Sequence, residues 1–377
     1  MEKNNPAARG KEISPSGDVY EGDLIDSVPH GKGKLIFSYG DVYEGDFAGG
    51  KFQGKGTYTY AGRAWYTGDF VAGKCHGKGI YTFPDGAVYE GDFVDHKCHG
   101  KGIKTYRNGV VYEGDFANDK MSGKGKQTEP DGSEYEGDFV AGAYHGKGKL
   151  AFSDGGVYEG EFLNSVFHGK GKLSLPDGVV YEGDFVNSEF HGKGICTFID
   201  GDRYEGDFEH GKYHGKGTLY LSDGVIYSGD FVESMPTGKG IQTSPDGVVY
   251  EGDFVGFERT GKGKQTSPAG NVYSGDFVNG TYHGKGKVIL PKDVIEYEGE
   301  FKNGCYHGKG KRIYANGAVY EGDFSEDACH GKGTFTLPDG TVYSGDFTDD
   351  THVESGMAIW PDGKPSKSGF GNMPCAS

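Results

Sequence analysis

The stretch Tyr43-Glu44-Gly45-Asp46-Phe47 decides the fold, because it or a near variant returns along most of the chain at a fixed interval. Its leading tyrosine recurs fifteen times from Tyr20 to Tyr343, and every step is 23 residues except Tyr273 to Tyr297, which is 24. A period of roughly 20 to 50 residues marks stacked repeats, each burying its apolar surface only against its neighbours. The extra residue falls in Pro291-Lys292-Asp293-Val294-Ile295-Glu296. It is expected in a loop, since loops absorb insertions and strands do not.

With the tyrosine as column one, each unit reads Tyr-Glu-Gly-Asp-Phe, about five variable residues, His-Gly-Lys-Gly, a short apolar stretch and then Pro-Asp-Gly or similar. Gly-Lys-Gly occurs fourteen times, from Gly31-Lys32-Gly33 to Gly331-Lys332-Gly333. Both ends depart from the pattern. Gly10 falls where a preceding triplet would end, so residues 10 to 13 supply half a unit; Glu354-Ser355-Gly356 replaces the last triplet, and Phe370 is the survivor of a sixteenth motif. Atypical end units are expected of an array that must cap itself. The organisation expected is a flexible tail over 1–9, an array over 10–350, and a degenerate cap and tail over 351–377.

Glycine supplies 71 of the 377 residues and aromatic residues 14%. Each interior glycine costs a helix about 1 kcal/mol relative to alanine, and no long window avoids it, so helices are excluded in favour of strands. In a strand, columns one, three and five share one face, placing Tyr and Phe beside bare glycine; Glu and Asp of columns two and four take the other. Rings lying across neighbouring glycines let a single layer of sheet cover itself. The fold expected is all-β, an elongated, single-layer, twisted antiparallel meander of 23-residue hairpins, joined by turns such as Pro84-Asp85-Gly86. The groove of such a sheet is expected on the ring side, lined by the Tyr and Phe columns and open to a partner's extended segment or helix.

The pattern resembles the MORN repeat, the membrane occupation and recognition nexus motif, written Tyr-x-Gly-x-Trp/Phe followed by Gly-x-Gly, and it covers roughly residues 10 to 350. The resemblance is to proteins built from MORN repeats alone, as in protist cytoskeletons, with the radial-spoke-head and junctophilin groups more distant. It implies a non-catalytic scaffold organising cytoskeletal or membrane-associated assemblies, and also raises a phosphoinositide-binding adaptor or an axonemal component as alternatives.

Charge weighs on the lipid alternative. Column four is acidic in all fifteen units, with Glu161 and Glu300 in place of Asp, and column two is Glu in eleven, the exceptions being Thr67, Ser228, Ser274 and Ser344. Against these 26 acids stand fourteen triplet lysines, a difference of −12 out of a net −17. Anionic lipid and nucleic acid both need positive potential, worth roughly 1 kcal/mol per Lys or Arg near a membrane surface. Nucleic acid is therefore excluded. The acid and lysine columns read as a solvated ladder, with Lys147, Lys149, Lys170 and Lys172 as the phospholipid contacts if a membrane surface is engaged.

Ten units place His before the triplet, among them His30, His145, His168 and His330. Equivalent residues lie two strands apart, about 10 Å, too far to share a metal, so the column reads as a turn-closing hydrogen bond or ring packing. The same spacing denies a disulfide between Cys75 and Cys98. Cys305, Cys329 and Cys375 gather near the C-terminus, where a symmetric dimer brings them together as a bridge or zinc site. The Gly-Lys-Gly triplets lack the Gly-x-x-x-x-Gly-Lys-Ser/Thr context of a phosphate loop, and no catalytic domain or cofactor is expected. Units lacking the His carry Gln53, Ser122, Thr237 and Thr260, and three of these also have a polar column eighteen, Glu129, Ser244 and Ser267. Their shared strings, Lys-Gln-Thr at 126–128 and 264–266 and Ile-Gln-Thr at 241–243, suggest duplication of one variant unit.

No stretch approaches the ~20 apolar residues of a membrane helix, and Met1-Glu2-Lys3-Asn4-Asn5 lacks an apolar signal core. Glu2 denies N-myristoylation, and Pro374 holds the place of a prenylated cysteine. A cytoplasmic, cytoskeleton-associated protein is expected, with other proteins as partners and a homodimer formed through Phe347, Trp360, Phe370 and Cys375.

Overall fold

The computed structural model describes residues 8–291, 295–353 and 356–366, in two compact units, Met1–Glu189 and Phe190–Ser377. Every element among the described residues is a strand. The first unit opens with β1 (Ala8–Ile13), β2 (Val19–Ile25), β3 (Val28–Ile36), β4 (Val42–Ala48) and β5 (Lys51–Thr59), each antiparallel to the next. The half-unit at the start is a full pairing partner, with Gly10 opposite Gly22. The meander continues in chain order to Val180–Val186. The second unit repeats it as far as Val342–Thr348, then ends in the short strands Thr351–His352, Met357–Ile359 and Pro365–Ser366.

The register explains the spacing of the glycines. Gly22 pairs with Gly33, Gly33 with Gly45, Gly45 with Gly56 and Gly56 with Gly68, so columns three and fourteen form a file of glycines running across the strands. Anchor tyrosines such as Tyr20, Tyr43, Tyr89 and Tyr320 lie on this file, whereas at the last anchor, Tyr343, His352 takes the place over Gly345 and Gly356. A methyl group at Gly45 would stand 2.5 Å from Gly56 Cα and 2.6 Å from the Tyr43 hydroxyl, far inside contact distance. The hydroxyl donates to the Asp46 carbonyl at 2.8 Å, and the ring is fully buried. Phe47 meets it edge-on at 5.1 Å, and Phe70 of the following repeat at 5.0 Å. One ring thus welds two repeats, and such pairs add about 0.5–1.5 kcal/mol each beyond burial.

Two kinds of turn alternate. Within a repeat, two residues of positive φ join the strands, as in Asp26 (49°) and Ser27 (61°), Asn118 (50°) and Asp119 (69°), or Asn164 (51°) and Ser165 (67°). These are type I′ hairpins, whose twist matches the strands; Asn, Asp and Gly tolerate them best. Between repeats, Phe83-Pro84-Asp85-Gly86 closes a turn through the Gly86 N–H to the Phe83 carbonyl at 3.0 Å, with Gly86 at φ 92°. The insertion departs from the expectation of a longer loop. Thr281–Leu290 has ten residues instead of nine, and Leu290 pairs with Ile295, so the hairpin gains a rung. An added rung lengthens both strands together and leaves the facing of every other pair unchanged.

These two uses of glycine separate experimentally. Gly102→Ala puts a methyl group 2.5 Å from the Tyr89 hydroxyl, whereas one at Gly86 meets nothing within 4 Å and only strains φ. Both are expected to cost about 1–3 kcal/mol. Gly86→Asn should be milder than Gly86→Ala, and Gly102→Asn worse than Gly102→Ala, as read from denaturant unfolding and local amide exchange.

Candidate binding surface

The ring face is the core. Anchor tyrosines and column-five phenylalanines, Tyr66, Phe70, Tyr89 and Phe93 among them, are at most 3% exposed except Tyr343 at 7%. Column ten, within the variable stretch, completes it. Tyr144 stacks on Tyr135 at 3.7 Å and Phe167 on Tyr158 at 3.7 Å; Cys75 and Cys98 take the same place, and burial pushes each of these thiols up to about 12. Column eight of the next hairpin locks each column-ten residue. The Gly73 N–H donates to the Phe52 carbonyl at 2.9 Å, while Asp119 Oδ1 accepts the Cys98 N–H at 2.8 Å and Ser165 Oγ the Tyr144 N–H at 3.1 Å.

The groove lies on the opposite face, against expectation. In the first unit an open trough of about 2190 Å³ runs from Arg9 to Lys170, floored by Gly45, Gly56 and their equivalents and walled by columns two, thirteen and fifteen. A smaller one in the second unit runs from Glu298 to Gly345. The Tyr and Phe columns cannot line a groove because their rings are consumed in covering the glycine file; on the other side the backbone of the glycine columns floors a channel between the side chains of columns two and fifteen and those of column thirteen.

Column four does two jobs there. Asp46 Oδ1 receives the Lys32 ammonium of the preceding repeat at 2.6 Å, and Oδ2 accepts the Lys55 backbone N–H at 3.0 Å. That second bond caps a bulge at Asp46, where Gly54 has φ 63°. The pairing recurs at Lys55–Asp69, Lys78–Asp92 and Lys101–Asp115, each at 2.7 Å. Of the four candidate lipid lysines, Lys170 is held by Asp184 at 2.6 Å and Lys172 lies 3.9 Å from Glu182. Lys147 and Lys149 carry no ion pair among the described residues. Lys147 faces Glu161, whose longer side chain crowds Gly169 and leaves the rung unmade.

In two repeats the column-eleven residue meets the next hairpin tip: His30 Nδ1 accepts the Gly49 N–H at 3.5 Å, and Gln53 Oε1 accepts the Ala72 N–H at 3.1 Å, while Nδ1 of His145 and His168 is buried without a hydrogen-bond partner. Glutamine thus substitutes for histidine as an acceptor, in keeping with a turn-closing role. Cys75, Cys98, Cys196, Cys305 and Cys329 form no disulfide with one another. At the C-terminal end Phe347 is 2% exposed, edge-on to Tyr320 at 4.9 Å, and belongs to the core rather than to a contact surface. Trp360 is 38% exposed, while Phe370 and Cys375 lie outside the described residues.

Fourteen successive segments, from 20–42 to 320–342, match the family described as the MORN repeat. No similar sequence was found among curated proteins. Among solved structures, the TCP10 domain of Danio rerio CPAP in complex with a peptide of Danio rerio STIL is 14% identical, covering 71% of this chain and 94% of that one at a TM-score of 0.22. The SAS-4 (dCPAP) TCP domain of Drosophila melanogaster, in complex with a proline-rich motif of Ana2 (dSTIL), is 11% identical, covering 58% and 88% at 0.17. A streptogramin B lyase is 14% identical, covering 72% and 82% at 0.13. Likenesses this shallow carry nothing about what this chain binds.

The ladder makes stability depend on acid. The Lys55 ammonium beside Asp69, Lys78 beside Asp92 and Lys239 beside Asp253 hold these carboxyls below the ordinary 3.8. Their contribution is complete above the unfolded value and is lost as pH falls through the depressed folded values. Thermal unfolding should be nearly flat in pH above about 5 and fall steeply below about 4. Asp92→Asn should lower the midpoint at neutral pH and flatten the acid limb, and 0.5 M salt should reduce both effects.

Proposed function

The chain belongs to the MORN-repeat family, and from that premise we propose that it is a non-catalytic scaffold that holds cytoskeletal or membrane-associated proteins together. The observation that carries this reading is the trough of the first unit, where the same pair of walls and the same glycine floor recur over successive repeats. A surface made of equal stations suits an extended chain or helix with charges of both signs. Its lysines are largely spent on neighbouring aspartates, which removes the free positive potential that a purely anionic ligand would need. Column fifteen varies the theme along one wall, with Lys34, Thr57, Ile80, Ile103 and Lys126 in turn, and gives the stations a means of selecting a partner.

A second reading, a phosphoinositide-binding adaptor, draws its support from the unpaired lysines Lys147 and Lys149. Vesicle sedimentation separates the two. A scaffold without a lipid site should pellet no more with vesicles containing phosphatidylinositol 4,5-bisphosphate than with phosphatidylserine vesicles of equal charge. Preferential pelleting that is abolished by Lys147→Glu with Lys149→Glu would favour the adaptor.

For the scaffold itself, proximity labelling of the tagged chain in its own cell should return a set rich in cytoskeletal or membrane-associated proteins. Ile80→Gln with Ile103→Gln, exposed in the trough and outside the Lys–Asp ladder, should deplete that set while leaving the unfolding transition in place. An unchanged set would contradict the reading. Dimerisation through the C-terminal end predicts a dimer mass by light scattering at micromolar concentration that halves on truncation after Thr348; a monomer mass unaffected by truncation removes it.

A further inference from the structure

The variant repeats of the second unit place a cation where a ring belongs. Column ten of the Tyr250 repeat is Arg259, and its guanidinium lies over the Tyr250 ring at 5.3 Å. Neutral acceptors fix its plane: Nε donates to Gln242 Oε1 at 2.9 Å, Nη1 to Gln265 Oε1 at 2.8 Å and Nη2 to Ser244 Oγ at 3.4 Å. Gln265 Nε2 in turn donates to the Tyr282 hydroxyl at 2.9 Å, leaving that hydroxyl a proton to give. The shared Gln-Thr strings and the polar Ser244 are therefore members of one network built around Arg259.

A guanidinium has five N–H donors. Three are committed here, leaving one on Nη1 and one on Nη2 for an outside oxygen acceptor. No carboxylate pairs with Arg259 among the described residues. The related Tyr112 repeat has the same Lys-Gln-Thr string but carries Met121 at column ten, and there Gln127 Nε2 donates to Glu129 Oε1 at 2.6 Å. That frame presents an acid, this one a locked cation with spare donors.

We propose that Arg259, with Tyr282, forms a receptor on the ring face for a single carboxylate, supplied by an acidic side chain or chain terminus of a partner peptide. One guanidinium with two free donors balances one carboxylate; a phosphate dianion would keep a charge uncompensated in a chain of net −17. Gln242, Gln265 and the Tyr250 ring hold the fork ready, so little side-chain freedom is lost on binding. The receptor lies away from the ladder face of its own unit, and either it or the scaffold reading can fail without the other.

The full-length protein, labelled with nitrogen-15, is titrated with sodium acetate while the Arg259 Nε–H and Gln265 amide resonances are followed. Saturable shifts are expected with acetate and none with sodium chloride at the same ionic strength. Arg259→Met, which borrows the residue found at Met121, should abolish saturation at the Gln265 amide. Gln242→Leu, which keeps the arginine and restores the leucine of equivalent positions such as Leu150, should weaken acetate about 3- to 10-fold. Identical responses to acetate and chloride, or an unchanged midpoint in a folded Arg259→Met protein, would overturn the proposal. Inorganic phosphate binding about tenfold more tightly than acetate would overturn its carboxylate assignment.

Discussion

A tyrosine ring lying on bare backbone is the contact on which the rest of this structure depends. A single layer of sheet has no second layer to bury its apolar face, and the Tyr43 ring supplies the cover by resting on Gly45 and Gly56 in the space their missing side chains leave. Its hydroxyl, otherwise an unsatisfied donor in a closed place, gives its proton to the Asp46 carbonyl. Tyr43 also touches Phe47 of its own repeat and Phe70 of the next, so the closure of one repeat and the docking of its neighbour are one event. That coupling is why the period is kept so strictly: a slip of one residue would turn every ring to the solvent side.

The division of labour between faces follows from the same contact. The rings fill the space over the glycines on one side, while on the other the backbone of the same columns lies between rows of charged side chains. Individually, exposed Lys–Asp pairs such as Lys55–Asp69 contribute little. Their aspartates matter more through the backbone, since Asp46 caps the bulge at Gly54 and fixes where the strand bends. The ladder therefore shapes the trough as well as neutralising it, and the places where it falters, at Glu161 and Glu300, are where lysines are left to other partners.

Much of this was legible in the sequence. The alternation Tyr-Glu-Gly-Asp-Phe placed rings and acids on opposite faces, and the glycine columns announced that the rings would lie on backbone. Column ten was not legible because position, not chemistry, is what it preserves: Phe52, Tyr144 and Arg259 cover an anchor ring by stacking or cation–π contact, and Cys75 and Met121 hold the same place in other repeats. The type I′ turns were only partly signalled: Asn279-Gly280 and Asn303-Gly304 carry the usual Asn-Gly pair, while Asn-Asp, Asn-Ser and Asp-Ser fill the same positions in other repeats. The side on which the groove opens follows from how fully the rings cover the glycines, which the alternation of side chains leaves open. One polar column-eighteen residue, Ser244, acquired a partner only in three dimensions, in Arg259 reaching back from column ten of the following repeat; nothing in the structure ties column eighteen to the missing histidine.

The central claim is that ring and glycine are fitted to each other, and a double-mutant cycle on Tyr135 and Gly148 tests it most directly. A methyl group at Gly148 would stand 2.6 Å from Tyr135 Cζ, atoms that Tyr135→Leu removes. If the contact governs stability, Gly148→Ala should cost about 2–3 kcal/mol beside tyrosine and at least about 1 kcal/mol less beside leucine, read from local amide exchange over Ala143–Ala151. Strictly additive effects would contradict the account and assign the glycine file to backbone conformation alone.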